Sequence, residues 1–278
     1  LTLDSTVALA QRLPDMPTPW PRQVREDLVT LIGAGEQMID LFEALDQENL
    51  ISRWIPEWQH VRFLPQRNVL HRHTVDRHML ETAFSAAALT RKVHRPDLLL
   101  IAALFHDIGK GFPEKDHSDY GEELIRPLAL RMGFDAEDVE TLALIVKHHL
   151  LLSSVATRRD LDDPQTIAYV LGLIPDAQTL ELLHALSIAD GEATGKAAWS
   201  AWKAGLVAEL VKRTLSAMKG IEPAPVEELT PAQKELADRG ELTVSLEERE
   251  ENLMIEIISP DSTGLLSMVA AVPHRTDR

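Results

Sequence analysis

The longest unbroken apolar run in the chain, Leu98 to Phe105, leads straight into His106-Asp107 and stops at Gly109. A helix that is apolar nearly all round has to be surrounded by other elements. The run is eight residues long, far short of a membrane span. It therefore predicts a buried helix, over Asp97 to Asp107, that carries an imidazole and a carboxylate into the interior. Burying the two side by side is costly unless something compensates. A divalent cation would do so, since His offers a neutral nitrogen and Asp an oxygen, a set suited to Mn, Fe, Mg or Zn. Adjacent helical residues point about 100° apart, so the two can share an ion only near a helix end. The break at Gly109 supplies that end.

The rest of the middle region is also helical in pattern. Apolar residues recur at helical spacing at Val24, Leu28 and Leu31, then at Met38, Leu41, Phe42 and Leu45, with Gly33 and Gly35 dividing two helices. Gly33-Ala34-Gly35 is no nucleotide loop, for no strand precedes it and a third glycine is missing. Thr74 to Val93 presents Val75, Met79, Ala83, Ala86, Leu89 and Val93 on one face. Asp135 can cap a helix through Leu142, Ile145 and Val146. Asp163-Pro164 reads as a cap with proline at the first helical position. Asp176 can cap Leu180 to Ala189, and Trp199, Trp202, Leu206 and Leu210 line a last long helix. Only Leu253 to Ile258 reads as a strand. The expected class is all-α, with a short, incomplete α+β segment at the end.

Other candidate ligands lie at separate points. His78 sits between Val75 and Met79, His117 reads as lying in the loop after the His-Asp pair, His148-His149 ends the Asp135 helix, and Asp190 ends the Asp176 helix. A bundle can gather helix ends at one spot. Each has a plainer reading: a lone His at a helix C-terminus usually serves the helix dipole, and Asp190-Gly191 alone is a helix stop. His71-x-His73 echoes barrel metal motifs, but the alternating strands of such a barrel are absent. His60, His94 and His184 read as surface or core residues.

Composition removes other classes. The absence of cysteine excludes a disulfide scaffold, an iron–sulfur site and a thiolate zinc site. A net charge of −16 argues against nucleic acid or an anionic membrane as partner. Residues 221–252 hold ten acids, three bases and three prolines, and read as a solvated linker with a short helix near Thr230 to Asp238. The first residue is Leu and no secretory pattern follows it, which reads as a cytoplasmic chain with a cut or processed start.

Phe105-His106-Asp107-Ile108-Gly109-Lys110-Gly111, with His78, His148-His149 and Asp190, resembles the HD-superfamily phosphohydrolases. Trp54-Ile55-Pro56-Glu57-Trp58, Pro65-Gln66, His73-Thr74-Val75-Asp76-Arg77-His78, Arg159-Asp160-Leu161-Asp162-Asp163-Pro164 and Ala189-Asp190-Gly191-Glu192-Ala193-Thr194-Gly195 narrow the resemblance. They are similar to the bifunctional PII uridylyltransferase/uridylyl-removing enzymes of bacterial nitrogen signalling, over most of residues 20–215. The resemblance implies an HD helical bundle over 61–220, after a helical lead over 1–60. It implies His78, His106, Asp107 and Asp190 as metal ligands, with His117, His148 and His149 for a second ion and Asp107 between the two. Mn or Mg, with Fe or Zn as alternatives, would be the cofactor. Lys110 would lie at the scissile phosphate and, with Asp107, count as catalytic. The implied substrate is the nucleotidylated tyrosine of the PII signal protein. Arg158, Arg159 and Lys147 read either as phosphate or PII contacts or as solvated helix-end charges.

Two departures from the family pattern follow. No Gly-Ser turn with paired carboxylates marks a nucleotidyltransferase domain, so transferase activity is expected to be missing. Leu253 to Leu266 resembles the opening of a glutamine-sensing ACT domain, and residues 253–278 read as a truncated start, poorly ordered or docked elsewhere, with glutamine sensing lost. The rival expectations are an HD hydrolase of free nucleotides and a non-catalytic fragment that binds PII.

Overall fold

A computed structural model of the chain describes residues 5, 8, 12, 15–66, 72–221, 230–240, 242–249 and 252–259. It divides into two units, Leu1–Pro223 and Ala224–Arg278.

In the first unit, α1 (Arg22–Ile32) and α2 (Glu36–Gln47) are followed by the short α3 (Leu50–Trp54) and a 3-10 turn at Pro56–His60. Then come α4 (Val75–Ala87), a 3-10 turn at Thr90–Lys92, α5 (Pro96–Phe105) and a 3-10 turn at Ile108–Gly111. α6 (His117–Arg131) and α7 (Ala136–Lys147) form a packed pair. α8 (Leu151–Arg158), α9 (Pro164–Leu173), α10 (Ala177–Thr194) and α11 (Ala201–Met218) complete the bundle.

The apolar run is the centre of the core. Every residue from Leu98 to Phe105 is buried, and full burial of each large one contributes about 1.5–3 kcal/mol. α4, α7 and α10 pack around α5. Trp58 wedges between Phe42 and Phe105, with ring centroids 5.0 and 6.5 Å away. The region before residue 61 shares this core: Trp20 donates its backbone N–H to Arg131 O at 2.8 Å, and Arg131 pairs with Glu57. The expected caps are in place, for Asp135, Asp163 and Asp176 each accept a backbone N–H in the first turn of their helices.

Some expectations are corrected. The helix predicted over Thr74 to Val93 stops at Ala87 and continues only as a 3-10 turn at Thr90–Lys92. Arg95, the residue before Pro96, is out of helical conformation, so α5 starts as a separate helix. The Asp176 helix does not end at Asp190 but runs to Thr194. Gly191 is no helix stop: its missing side chain leaves room for the Trp199 ring, which an added Cβ would meet at 2.4 Å.

In the second unit, α12 (Pro231–Asp238) falls where a short helix was expected. A strand, β1 (Thr243–Arg249), lies inside the stretch read as linker and pairs antiparallel with β2 (Asn252–Ile258), Thr243 opposite Ile258. Charge counting hid it, because the β-branched and apolar positions Thr243, Val244 and Leu246 sit among acids. The cross-strand partners Leu246 and Ile255 are both exposed. The linker positions 222–229 and the ACT-like loop and helix after Ser259 lie outside the described residues.

Ala136–Arg158 matches a membrane span in length and composition, but half of it is buried in the protein. It is also two helices, broken at His148–Leu150.

Candidate metal centre

Five elements deliver the site. α4 brings His78, the end of α5 brings His106 and Asp107, the start of α6 brings His117, and the turn after α7 brings His149. Asp190 comes from within α10, one turn before its end. His117 is thus the first residue of a helix rather than part of a loop, and the Asp116 side chain caps that helix by accepting from Ser118 and Asp119 N–H.

The close approach of the 3-10 turn to α6 depends on Gly109. A Cβ there would lie 2.0 Å from His117 O and 2.7 Å from Gly121 N. Gly109, inside the 3-10 turn that follows α5, therefore lets Asp107 meet His117.

The side chains fall into two triads, His78–His106–Asp190 and Asp107–His117–His149, each with its potential donor atoms within 4.8 Å of one another. Asp107 joins them. Its Oδ2 lies 3.4 Å from His106 Nε2 and 3.7 Å from His78 Nε2. Its Oδ1 lies 3.6 Å from His149 Nε2 and 3.9 Å from His117 Nε2. Asp190 Oδ1 lies 2.9 Å from His78 Nε2 and 3.6 Å from His106 Nε2. The imidazoles follow one another edge to face, with His78–His106, His106–His149 and His117–His149 centroids each 5.3 Å apart.

Two of the rings are oriented from behind. His106 Nδ1 donates to Ala103 O at 2.9 Å, and His149 Nδ1 donates to Val146 O at 2.7 Å. A carbonyl can only accept, so each bond commits Nδ1 as donor and turns Nε2 to the centre, the arrangement of metal-binding histidines. His106 Nε2 and Asp107 Oδ1 are buried without a hydrogen-bond partner among the described residues. Buried polar atoms are seldom left so, and both point into the region the triads share. The donor set, two carboxylates and four imidazoles, fits one or two divalent cations.

The electrostatics agree. Burial presses the His106 imidazole toward neutrality, but Asp107 and Asp190 outweigh it and pull its pKa up to about 10. Burial would raise Asp107 and Asp190, yet the neighbouring histidines, with Lys110 beside Asp107, hold both well below the usual carboxylate range. His149, pushed down to about 4 by burial, stays neutral. The carboxylates draw positive charge into the centre while His149 offers a lone pair.

A cleft of about 1000 Å³ opens over the centre. Asp107, Lys110, His117, His149 and Asp190 line it, with Gln66, Arg158 and Lys203 on its walls. Lys110 Nζ is 2.6 Å from Asp107 Oδ2 and donates to Gln66 Oε1 at 2.9 Å.

Of the residues singled out in the sequence, His148 stands apart from both triads. It is half-buried, and its pKa is lowered by that burial and by Lys147. His73 is in neither triad, and His71 lies outside the described residues. His94 pairs with Glu181 at the surface, and His60 stacks on Phe112. Lys147 is paired with Glu122, whereas Arg158 is a cleft residue. The contacts of Gln66 and Lys203 carried no signal in sequence; Gln66 is 44 positions from Lys110.

Residues 75–194 match the HD domain family, which spans the whole constellation from α4 to the end of α10. The chain is 56% identical over 217 residues to a bifunctional uridylyltransferase/uridylyl-removing enzyme of Streptomyces coelicolor, covering 78% of this chain and 26% of that protein. It is 47% identical over 266 residues to one of Mycobacterium tuberculosis, covering 95% of this chain and 33% of that protein. A relative of the same name from Corynebacterium glutamicum is 33% identical over 221 residues, 79% of this chain and 32% of that protein. The chain thus carries an HD domain. It belongs to the family of bifunctional uridylyltransferase/uridylyl-removing enzymes and spans a quarter to a third of the length of these relatives.

Proposed function

We propose that this chain is a metal-dependent phosphodiester hydrolase that removes a nucleotidyl group from a tyrosine of the PII signal protein. The observation that carries the reading is the division of Asp107 between two histidine-rich triads, with Lys110 on the same carboxylate. His78, His106 and Asp190 would hold one divalent ion, His117 and His149 a second, and Asp107 would contact both. Ions so held, Mn or Mg, would neutralise phosphodiester oxygens and lower the pKa of a water near the reacting phosphorus.

The protein's own groups do the rest. Lys110 stands over the centre and presents an ammonium to the non-bridging oxygens, where charge builds in the transition state. The carbonyls of Ala103 and Val146 keep the His106 and His149 rings turned inward, so the site is organised before substrate arrives. The cleft is open enough for a side chain presented by another protein, and Arg158 and Lys203 give it cationic walls in a chain of net charge −16. The family's names support uridylyl as the group removed.

The test is release of nucleotide from uridylylated PII by the purified chain with Mn, run beside deoxynucleoside triphosphates, cyclic nucleotides and adenylylated PII. Release from uridylylated PII, lost in His106→Ala and Asp107→Ala, supports the reading. Turnover of free nucleotides alone, or equal behaviour of wild type and both variants, overturns it.

A further inference from the structure

Lys110 is held by two oxygens of different kind: the Asp107 carboxylate at 2.6 Å and the neutral Gln66 amide oxygen at 2.9 Å. Asp107 Oδ2 also lies 3.7 Å from His78 Nε2 and 3.4 Å from His106 Nε2, so a cation held by those histidines would compete with Lys110 for that carboxylate. Gln66 fixes Nζ without cancelling its charge. An ammonium has three donors, and with these two engaged the third is left for a substrate oxygen.

Gln66 reaches Lys110 because the strap before it is tied down at each step. Arg62 donates to the Asp46 side chain and to Asp46 O, both at 2.7 Å, and its guanidinium lies over the Phe63 ring. Phe63 N–H donates to Asp76 Oδ2 at 2.7 Å, and Val75 N–H donates to Leu64 O at 2.8 Å. Asp76 and Val75 belong to α4, the helix that carries His78, so strap and candidate ligand move together.

Phe63 has φ 54, a left-handed conformation that a residue with a bulky side chain rarely adopts. Such strain persists where the surroundings enforce it, and it gathers at working sites. Gln66 Nε2 is buried with no hydrogen-bond partner among the described residues, an expense that a merely structural glutamine has no reason to carry.

We infer that Gln66 is a positioning residue for Lys110, holding its ammonium over the scissile phosphate once Asp107 is engaged by metal. The inference rests on the hydrolase reading above.

The test combines a double-mutant cycle with crystals of the full chain. With uridylylated PII and Mn, Gln66→Leu is expected to lower kcat about tenfold and to leave KM within about twofold. The Gln66→Leu/Lys110→Ala double variant is expected to be no slower than Lys110→Ala alone. In crystals grown with Mn, Lys110 Nζ is expected beside Gln66 in wild type and displaced or disordered in Gln66→Leu. Effects that multiply in the double variant, or an unmoved Lys110, overturn the inference. Wild type without hydrolase activity refutes the functional reading, while the Lys110 position still decides this one. If Gln66→Leu does not fold, Gln66→Asn, too short to reach Nζ, takes its place.

Discussion

Gly109→Ala is the smallest change that separates the roles of the turn after His106-Asp107. The added Cβ would stand 2.0 Å from His117 O, 2.7 Å from Gly121 N and 2.9 Å from His117 C. All three are backbone atoms, so no side chain can swing aside. Ordinary contact is roughly 3.5 Å, so the turn and α6 must part by an ångström or more. Overpacking of this kind costs about 1–3 kcal/mol. For a chain of this size that lowers Tm by roughly 2–12 °C. The same displacement carries His117 away from Asp107 Oδ1, already 3.9 Å apart. Affinity for one ion is expected to fall roughly 10–100-fold, as when a supporting group behind a ligand is lost. Calorimetric unfolding with and without Mn, and titration of Mn into metal-free protein, read the two effects. A Gly109→Ala protein with wild-type Tm and wild-type Mn affinity would refute the reasoning.

Other perturbations follow from the same structure. His117→Ala is expected to reduce bound metal while leaving the His78–His106–Asp190 triad able to bind, whereas Asp107→Ala, which joins both triads, loses retained metal altogether; elemental analysis after desalting measures this. Leu104→Ala, at a fully buried position of α5, is expected to cost about 2–5 kcal/mol in urea unfolding. Burial would raise Glu122, but Arg126 and Lys147 outweigh it and lower its pKa. Its stabilising contribution is therefore complete above the ordinary glutamate range and lost as pH falls through the lowered folded value. The Tm difference between wild type and Glu122→Gln is expected to be full at pH 7 and to shrink as pH falls below the ordinary glutamate value of about 4.3.

The helical bundle was legible because its signals are local. An apolar run, aspartate caps and 3.6-residue spacing each act within a few positions, and α5, α7, α9 and α10 start close to where those signals put them. His106-Asp107 was legible for the same reason, as a polar pair at the end of a buried helix. What escaped was set by contacts distant in sequence. Asp190-Gly191 looked like a helix end, yet Gly191 is a contact site for the Trp199 ring. His148 and His149 are indistinguishable as letters; only the turn after α7 sends one inward and leaves the other beside Lys147. β1 was masked by the acids around it, since a two-stranded ribbon can keep polar residues exposed. The link between Gln66 and Lys110 exists only through the strap fixed to α2 and α4.

The most direct measurement is an anomalous difference map from crystals of the chain grown with Mn. The account expects two peaks, one within the His78–His106–Asp190 triad and one beside His117 and His149, with Asp107 between them. The absence of any peak at these residues would contradict it.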